Sequence, residues 1–178
     1  MNSLTRYVIC ELKDSDFDQE YLAKNIDYKL RRAARGILTY NNKVALLNVS
    51  NKNYHKLPSG GIESGESVKE AFKREILEET GCDCNIKKNL GVTIEYRDQR
   101  ELIQLSYVIF AEVTGEPGKV NFMDDEIEDG FRLEWVPITS IDLVLNNDSP
   151  TDYEGKFIHS RDKRIIEFYK KSQSSLIV

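Results

Sequence analysis

Two periodicities organise the chain. Residues 33–40 (AARGILTY) and 43–49 (KVALLNV) are β-rich apolar runs on either side of Asn41-Asn42. Asparagine tolerates the left-handed backbone of a tight turn, so these runs predict a β-hairpin. NIKKNLGVTIEYRD, ELIQLSYVIFAEVTG and FRLEWVPI read as three further strands. Between them the period lengthens: SVKEAFKREILEETG opens with the Ser67/Glu70 capping box and ends before Gly81, which delimits a helix over 67–80. Residues 140–145 predict a short helix and RDKRIIEFYKK a terminal one. Residues 6–12 are compatible with a short strand, and 14–20 with an acidic turn. This order predicts an α+β fold, a mixed β-sheet with helices on both faces.

No repeat or Gly/Pro-rich linker interrupts the 178 residues, so 1–178 reads as a single domain with 1–32 as an N-terminal extension. The 40% hydrophobic and 31% charged content excludes a disordered or fibrous chain. With 25 Lys+Arg against 30 Asp+Glu, the net charge of −5 argues against a nucleic-acid duplex partner bound through a basic face. No segment approaches the roughly 18 apolar residues of a membrane span, and the N-terminus lacks a signal-peptide pattern, so a cytoplasmic location without membrane partners is expected. Cys10, Cys82 and Cys84 lack the C-x-x-C spacing of metal or redox pairs and read as reduced, non-catalytic thiols. An acidic protein that handles anions needs a local source of positive charge.

The helix carries the strongest chemistry. At about 100° per residue, Val68, Ala71, Phe72 and Ile76 form one apolar stripe, and Glu75 and Glu79 fall on that same azimuth with Glu78 at its edge. A solvated charged face accounts for Glu70 and Arg74 but not for acids that continue the core-facing stripe. Two carboxylates about 5 Å apart at an effective dielectric near 20 repel by about 3 kcal/mol. A hard divalent cation among the oxygens removes that cost, and oxygen-only ligands suit Mg²⁺ or Mn²⁺. Upstream, Gly60, Gly61 and Gly65 permit close backbone approach to a ligand, although glycines before a helix also mark ordinary turns.

These residues resemble the Nudix box, G-x5-E-x7-R-E-U-x-E-E-x-G-U, where U is bulky and apolar. Gly60, Glu66, Arg74, Glu75, Ile76, Glu78, Glu79 and Gly81 stand in register, preceded by Leu57-Pro58; Cys82 is smaller than the usual final residue. The resemblance implies a Nudix-type α/β/α sandwich. It also implies a metal-dependent pyrophosphohydrolase that cleaves a nucleoside diphosphate linked to another moiety, with a small nucleotide as substrate. By the same resemblance Glu75, Glu78 and Glu79 bind Mg²⁺ or Mn²⁺ with the Gly60 carbonyl, while Glu66 pairs with Arg74 and orients the ligands. Such proteins often draw a further acid from a loop beyond the box. The MDDEIEDG segment offers Asp124, Asp125, Glu126, Glu128 and Asp129, and Glu126 is the choice for that acid, as metal ligand or general base, over a merely solvated loop.

Specificity is less legible. Members resembling ADP-ribose pyrophosphatases often carry a proline where this chain has Tyr96, Arg97 and Asp98. Tyr96 is a candidate for stacking on a base or for packing within the sheet. Arg97, Arg100 and Arg35 are candidates for phosphate contacts or for exposed positions; Arg31 and Arg32 are weaker ones. His55 lies near the Gly-rich stretch, and His159 receives no role. The readings are a nucleoside triphosphate or related nucleotide, with ADP-ribose or a nucleotide sugar as alternative. A non-catalytic sensor is a further class, disfavoured by the intact box. The isomerase branch that uses a pocket Cys is disfavoured by the cysteine positions. A homodimer exchanging N-terminal segments is compatible with the sequence. If divalent metal supplies the missing positive charge, EDTA abolishes hydrolysis and added Mg²⁺ restores it; activity that survives chelation excludes the metal reading.

Overall fold

The computed structural model describes residues 7–18, 20 and 25–174. Among the described residues, eight strands run as β1 (Val8–Lys13), β2 (Lys29–Tyr40), β3 (Lys43–Val49), β4 (Tyr54–Lys56), β5 (Ser59–Gly61), β6 (Asp83–Arg97), β7 (Leu102–Thr114) and β8 (Phe131–Pro137). The helices are α1 (Val68–Thr80), α2 (Asp124–Glu128), α3 (Ile141–Asn147) and α4 (Tyr153–Ser174). The sheet order is β1-β6-β7-β2-β3-β4, with β5 paired to β2 and β8 to β3. The β1–β6 and β2–β7 pairs are parallel and the rest antiparallel, so the sheet is mixed. The segment read as a strand at 6–12 is β1; residue 6 lies outside the described residues.

The hairpin forms, with Asn41 and Asn42 at φ 49° and 61°. Only Thr39–Val44 and Tyr40–Lys43 pair across it, however. Beyond the turn β2 runs alongside β7 from Lys29/Leu102 to Thr39/Glu112, while β3 turns to β4 and β8. Residues 33–38 of β2 are all buried, which demands a central position covered on both faces.

Alternation along β2 separates the two layers. Ala34 and Leu38, with Ile109 and Ala111, meet Ala71, Phe72 and Ile76 of α1. Full burial of a side chain such as Phe72 contributes about 1.5–3 kcal/mol. On the opposite face Ile37, Leu90 and Val108 meet α3 and, on α4, Ile165, Ile166 and Tyr169. The result is the expected α/β/α sandwich. That second face is apolar at only one end. At the other, the register aligns Arg31 with Gln104 and Gln104 with Glu95, and Arg35, Thr93, Glu95, Arg97, Gln104 and Ser106 are all buried.

α1 keeps the limits its sequence dictates: Ser67 accepts from the Glu70 N–H, the Glu70 carboxylate accepts from the Ser67 N–H, and Gly81 takes φ 67°. Three expectations change. The Gly-rich stretch is partly strand, because Ser59, Gly60 and Gly61 pair with Arg35, Ala34 and Ala33. The acidic segment expected as a loop is the short helix α2. The terminal helix starts earlier than RDKRIIEFYKK, since the Asp152 carboxylate accepts the Gly155 N–H at 2.6 Å and caps a new first turn.

Candidate active site

Pairing of β5 with β2 fixes Gly60 against α1. A Cβ at position 60 would lie 1.9 Å from Glu75 Oε1, so the Glu75 carboxylate occupies space that only glycine leaves open. Arg74 gathers the surrounding acids. Its Nε and Nη2 donate to Glu66 Oε1 and Oε2 at 3.0 and 3.1 Å, and its Nη2 to the Gly61 carbonyl at 2.9 Å. Its Nη1 donates to Glu75 at 2.6 Å and to Glu78 at 3.3 Å. These contacts raise the Arg74 pKa, the Glu66 bond most of all, so this guanidinium stays charged.

Glu79 points elsewhere. Its carboxylate, 2% exposed, accepts from Lys56 Nζ at 2.9 Å and from the Ser59 N–H at 2.7 Å. Burial raises its pKa to about 7 against the pull of Lys56. Burial likewise raises Glu75, against Arg74. Lys56 was not singled out by sequence reasoning; it lies 4.8 Å from the Phe131 ring centroid and bridges β8 to Glu79 of α1. Glu126 on α2 is half-buried, accepts from the Met123 N–H at 2.9 Å, and is close enough for its charge to raise the Glu79 pKa. The Asn121 N–H bonded to the Glu78 carbonyl at 2.7 Å ties the segment before α2 to the end of α1.

Beside Ser59 and Gly60 opens a cavity of about 140 Å³, lined also by Arg31, Arg35, Lys56, Arg97, Gln104 and Arg161. Arg161 donates from Nη1 to both oxygens of Glu95 at 3.2 and 3.1 Å and from Nε to Asp162 at 2.8 Å. Arg97 Nη2 donates to Glu95 at 3.0 Å. Burial by itself raises the Glu95 pKa, but Arg161, Arg97 and Arg35 outweigh it and hold the group at about 2. Burial, and next to it Arg161, press the Arg35 pKa downward against the pull of Asp162 and Glu95.

The predicted substrate contacts therefore divide. Arg35 and Arg97 reach the cavity, and Arg31 joins them. Arg100 does not: it is 57% exposed and pairs with Glu154 at 2.5 Å. Tyr96, on the face of β6 opposite Arg97, packs edge-on to Tyr28 at 6.0 Å. His55 is held by Asp148 at 2.8 Å and His159 by the Leu145 carbonyl at 2.8 Å. Arg161, Gln104 and Glu95 were missed. The signal for Glu95 and Gln104 was the period-two polar series Thr93, Glu95, Arg97 and Gln104, Ser106 inside otherwise apolar strands; Arg161, on α4, had none.

The acids of α1 suit a divalent metal by donor chemistry, being oxygen donors packed against the backbone at Gly60. Among the described residues no group of three His, Cys, Asp or Glu side chains stands ready as a metal cage, because Arg74 holds Glu75 and Glu78 while Lys56 holds Glu79.

The NUDIX domain family model matches residues 30–155. The chain belongs to the NUDIX family. An ADP-ribose pyrophosphatase of Methanocaldococcus jannaschii is 39% identical over 115 residues, 62% of this chain and 66% of the relative, so the chain spans about two thirds of that relative's length. A NUDIX hydrolase from Nitrosomonas europaea shares the fold at TM-score 0.61 and 18% identity, covering 81% of this chain and 90% of that one. A NUDIX-family hydrolase from Clostridium perfringens does so at 0.53 and 14%, covering 82% and 99%. The NUDIX match ends before Arg161 and Asp162, so part of the cavity wall lies outside the matched segment.

The buried charge network has a pH signature. The Glu95 pKa lies near 2, below its ordinary 4.5, so its stabilisation is complete above pH 4.5 and lost as pH falls toward 2. Thermal melts should fall more steeply through that window for wild type than for Glu95→Gln; parallel profiles would remove Glu95 as a source of acid sensitivity.

Proposed function

We propose that the chain is a Mg²⁺- or Mn²⁺-dependent pyrophosphohydrolase that cleaves a phosphoanhydride bond in a small nucleotide. We also take 1–178 as one domain, a reading supported by the pairing of β1 with β6. The observation that carries the function is a juxtaposition: Ser59 and Gly60, which hold Glu79 and make room for Glu75, are also walls of the arginine-lined cavity. A polyphosphate chain lying between them meets acidic metal donors at one end and guanidinium groups at the other.

Glu75, Glu78, Glu79 and the Gly60 carbonyl would hold the metal, which when bound neutralises phosphate charge and lowers the pKa of the attacking water. Glu66 and Arg74 keep those carboxylates oriented through the bonds on Arg74. Arg35 and Arg97 bind and align the phosphates. The water oxygen forms a bond to phosphorus as the bridging P–O bond breaks. The electron pair leaves with the departing phosphate, and the water proton passes to Glu126.

A second reading, ADP-ribose as substrate, is favoured by the name of the Methanocaldococcus jannaschii relative at 39% identity. A panel of nucleoside triphosphates, dinucleoside polyphosphates, ADP-ribose and nucleotide sugars separates the two. Metal-dependent cleavage by wild type should vanish in Glu79→Gln; binding without cleavage across the panel would make the chain a sensor instead. In the same assay Glu126→Gln should lower turnover by at least about tenfold with its melting temperature unchanged, and near-normal turnover would remove Glu126 from proton transfer.

A further inference from the structure

The cavity beside the acids contains more positive charge than the fold uses. Four guanidinium groups, Arg31, Arg35, Arg97 and Arg161, line it, and the two carboxylates that pair with them are Glu95 and Asp162. Lys56 is matched by Glu79, so two positive charges remain unmatched. Replacing buried ion pairs by apolar packing is often neutral for stability, so structural need alone does not account for so many buried charges.

The unpaired donors are specific atoms. Arg35, 3% exposed, leaves Nε and Nη1 without a hydrogen-bond partner, and Arg97, 6% exposed, leaves Nε without one. Asp162 Oδ1 stands 3.7 Å from Arg35 Nη1, beyond hydrogen-bond range. Buried donors of this kind are costly when unmet. The cavity that Arg35 and Arg97 help to line, about 140 Å³, is well below the roughly 300 Å³ at which pockets begin to take drug-sized ligands. A nucleoside does not fit, whereas a compact oxyanion does. Planar guanidinium forks match the oxygens of phosphate.

We propose that this cavity is a subsite for a terminal phosphoryl dianion carried by the substrate beyond the bond that is cleaved. The terminal phosphate of a nucleoside triphosphate and a phosphate on the sugar of a nucleotide sugar both supply that chemistry. The assignment to substrate rests on the pyrophosphohydrolase reading; the binding of the dianion does not. Two of the groups that build the subsite, Arg161 and Asp162, come from α4, beyond residue 155 where the NUDIX match ends.

The test uses the full chain in EDTA, melted with increasing inorganic phosphate against sodium chloride at equal ionic strength. Phosphate should raise the melting temperature and chloride should not. Arg35→Met should weaken apparent phosphate affinity by about tenfold or more, while Arg164→Gln, which removes an exposed charge outside the cavity, should retain it. If Arg35→Met does not fold, Arg97→Lys, which removes the unpaired Nε–H and keeps the charge, takes its place with the same expectation. No phosphate-specific rise in wild type, or an equal rise in the cavity variant, overturns the proposal. A kinetic arm compares a nucleoside triphosphate with its diphosphate, and a sugar-phosphorylated nucleotide sugar with its unphosphorylated parent. The pair with the larger kcat/KM ratio identifies the source, and a ratio near one in both pairs removes the substrate assignment. Phosphate binding without hydrolysis of anything in the panel would sink the enzyme reading and leave the subsite standing.

Discussion

The contact of Arg161 Nη1 with both oxygens of Glu95 fastens the last helix to β6 of the sheet, and the position of everything around the candidate site follows from it. Arg161 also donates to Asp162, whose other oxygen accepts the Leu57 N–H at 2.8 Å. Leu57 leads through Pro58 into Ser59 and Gly60, so a bond made on α4 fixes the strand that receives Glu79 and accommodates Glu75. Truncating one member of a buried pair leaves the other charge bare, which costs several kcal/mol. Loss of any one member is therefore costly, and the Asp162–Leu57 bond ties the network to the segment that leads into β5.

On the other side of β5, charge is distributed rather than concentrated. Arg74 engages Glu66, Glu75 and Glu78, while Lys56 takes Glu79 alone. Mutual repulsion among the box acids is thus divided between two cations on different elements. Lys56, stacked on Phe131 of β8, makes the half of the sheet that departs from β2 a participant in the site. The early divergence of β2 from β3 creates room for β5 between the two halves.

Much of this was legible in the sequence where the signal is local. Ser67, Glu70 and Gly81 fixed the limits of α1 because caps act within one turn. The azimuths of Glu75 and Glu79 identified them as inward-facing because a helix wheel needs no tertiary information. Pairing partners were not legible in that way: Asn41-Asn42 marks a turn but does not state how far the strands stay together. The arginine cavity is assembled from β2, β6, β7 and α4, and single-strand patterns treat Glu95 or Gln104 as a solvent-side residue unless both faces are known to be covered. Arg100 illustrates the converse: two residues past Asp98 it looks equivalent to Arg97, yet the turn carries it outward to Glu154.

The late position of α4 in the chain has a consequence for biosynthesis. Chains emerge from the ribosome N-terminus first and fold as enough sequence becomes available. The sheet strands and the acid-bearing helix α1 all precede residue 153, where α4 begins. Until residue 161 has emerged, Glu95 lacks its principal counter-charge and one end of the face that α4 will cover is a wet, ionised surface, while Ile37, Leu90 and Val108 at the other end still await Ile165, Ile166 and Tyr169. The nascent chain therefore holds charges that water solvates beside an apolar patch, and closure of both waits for the final helix.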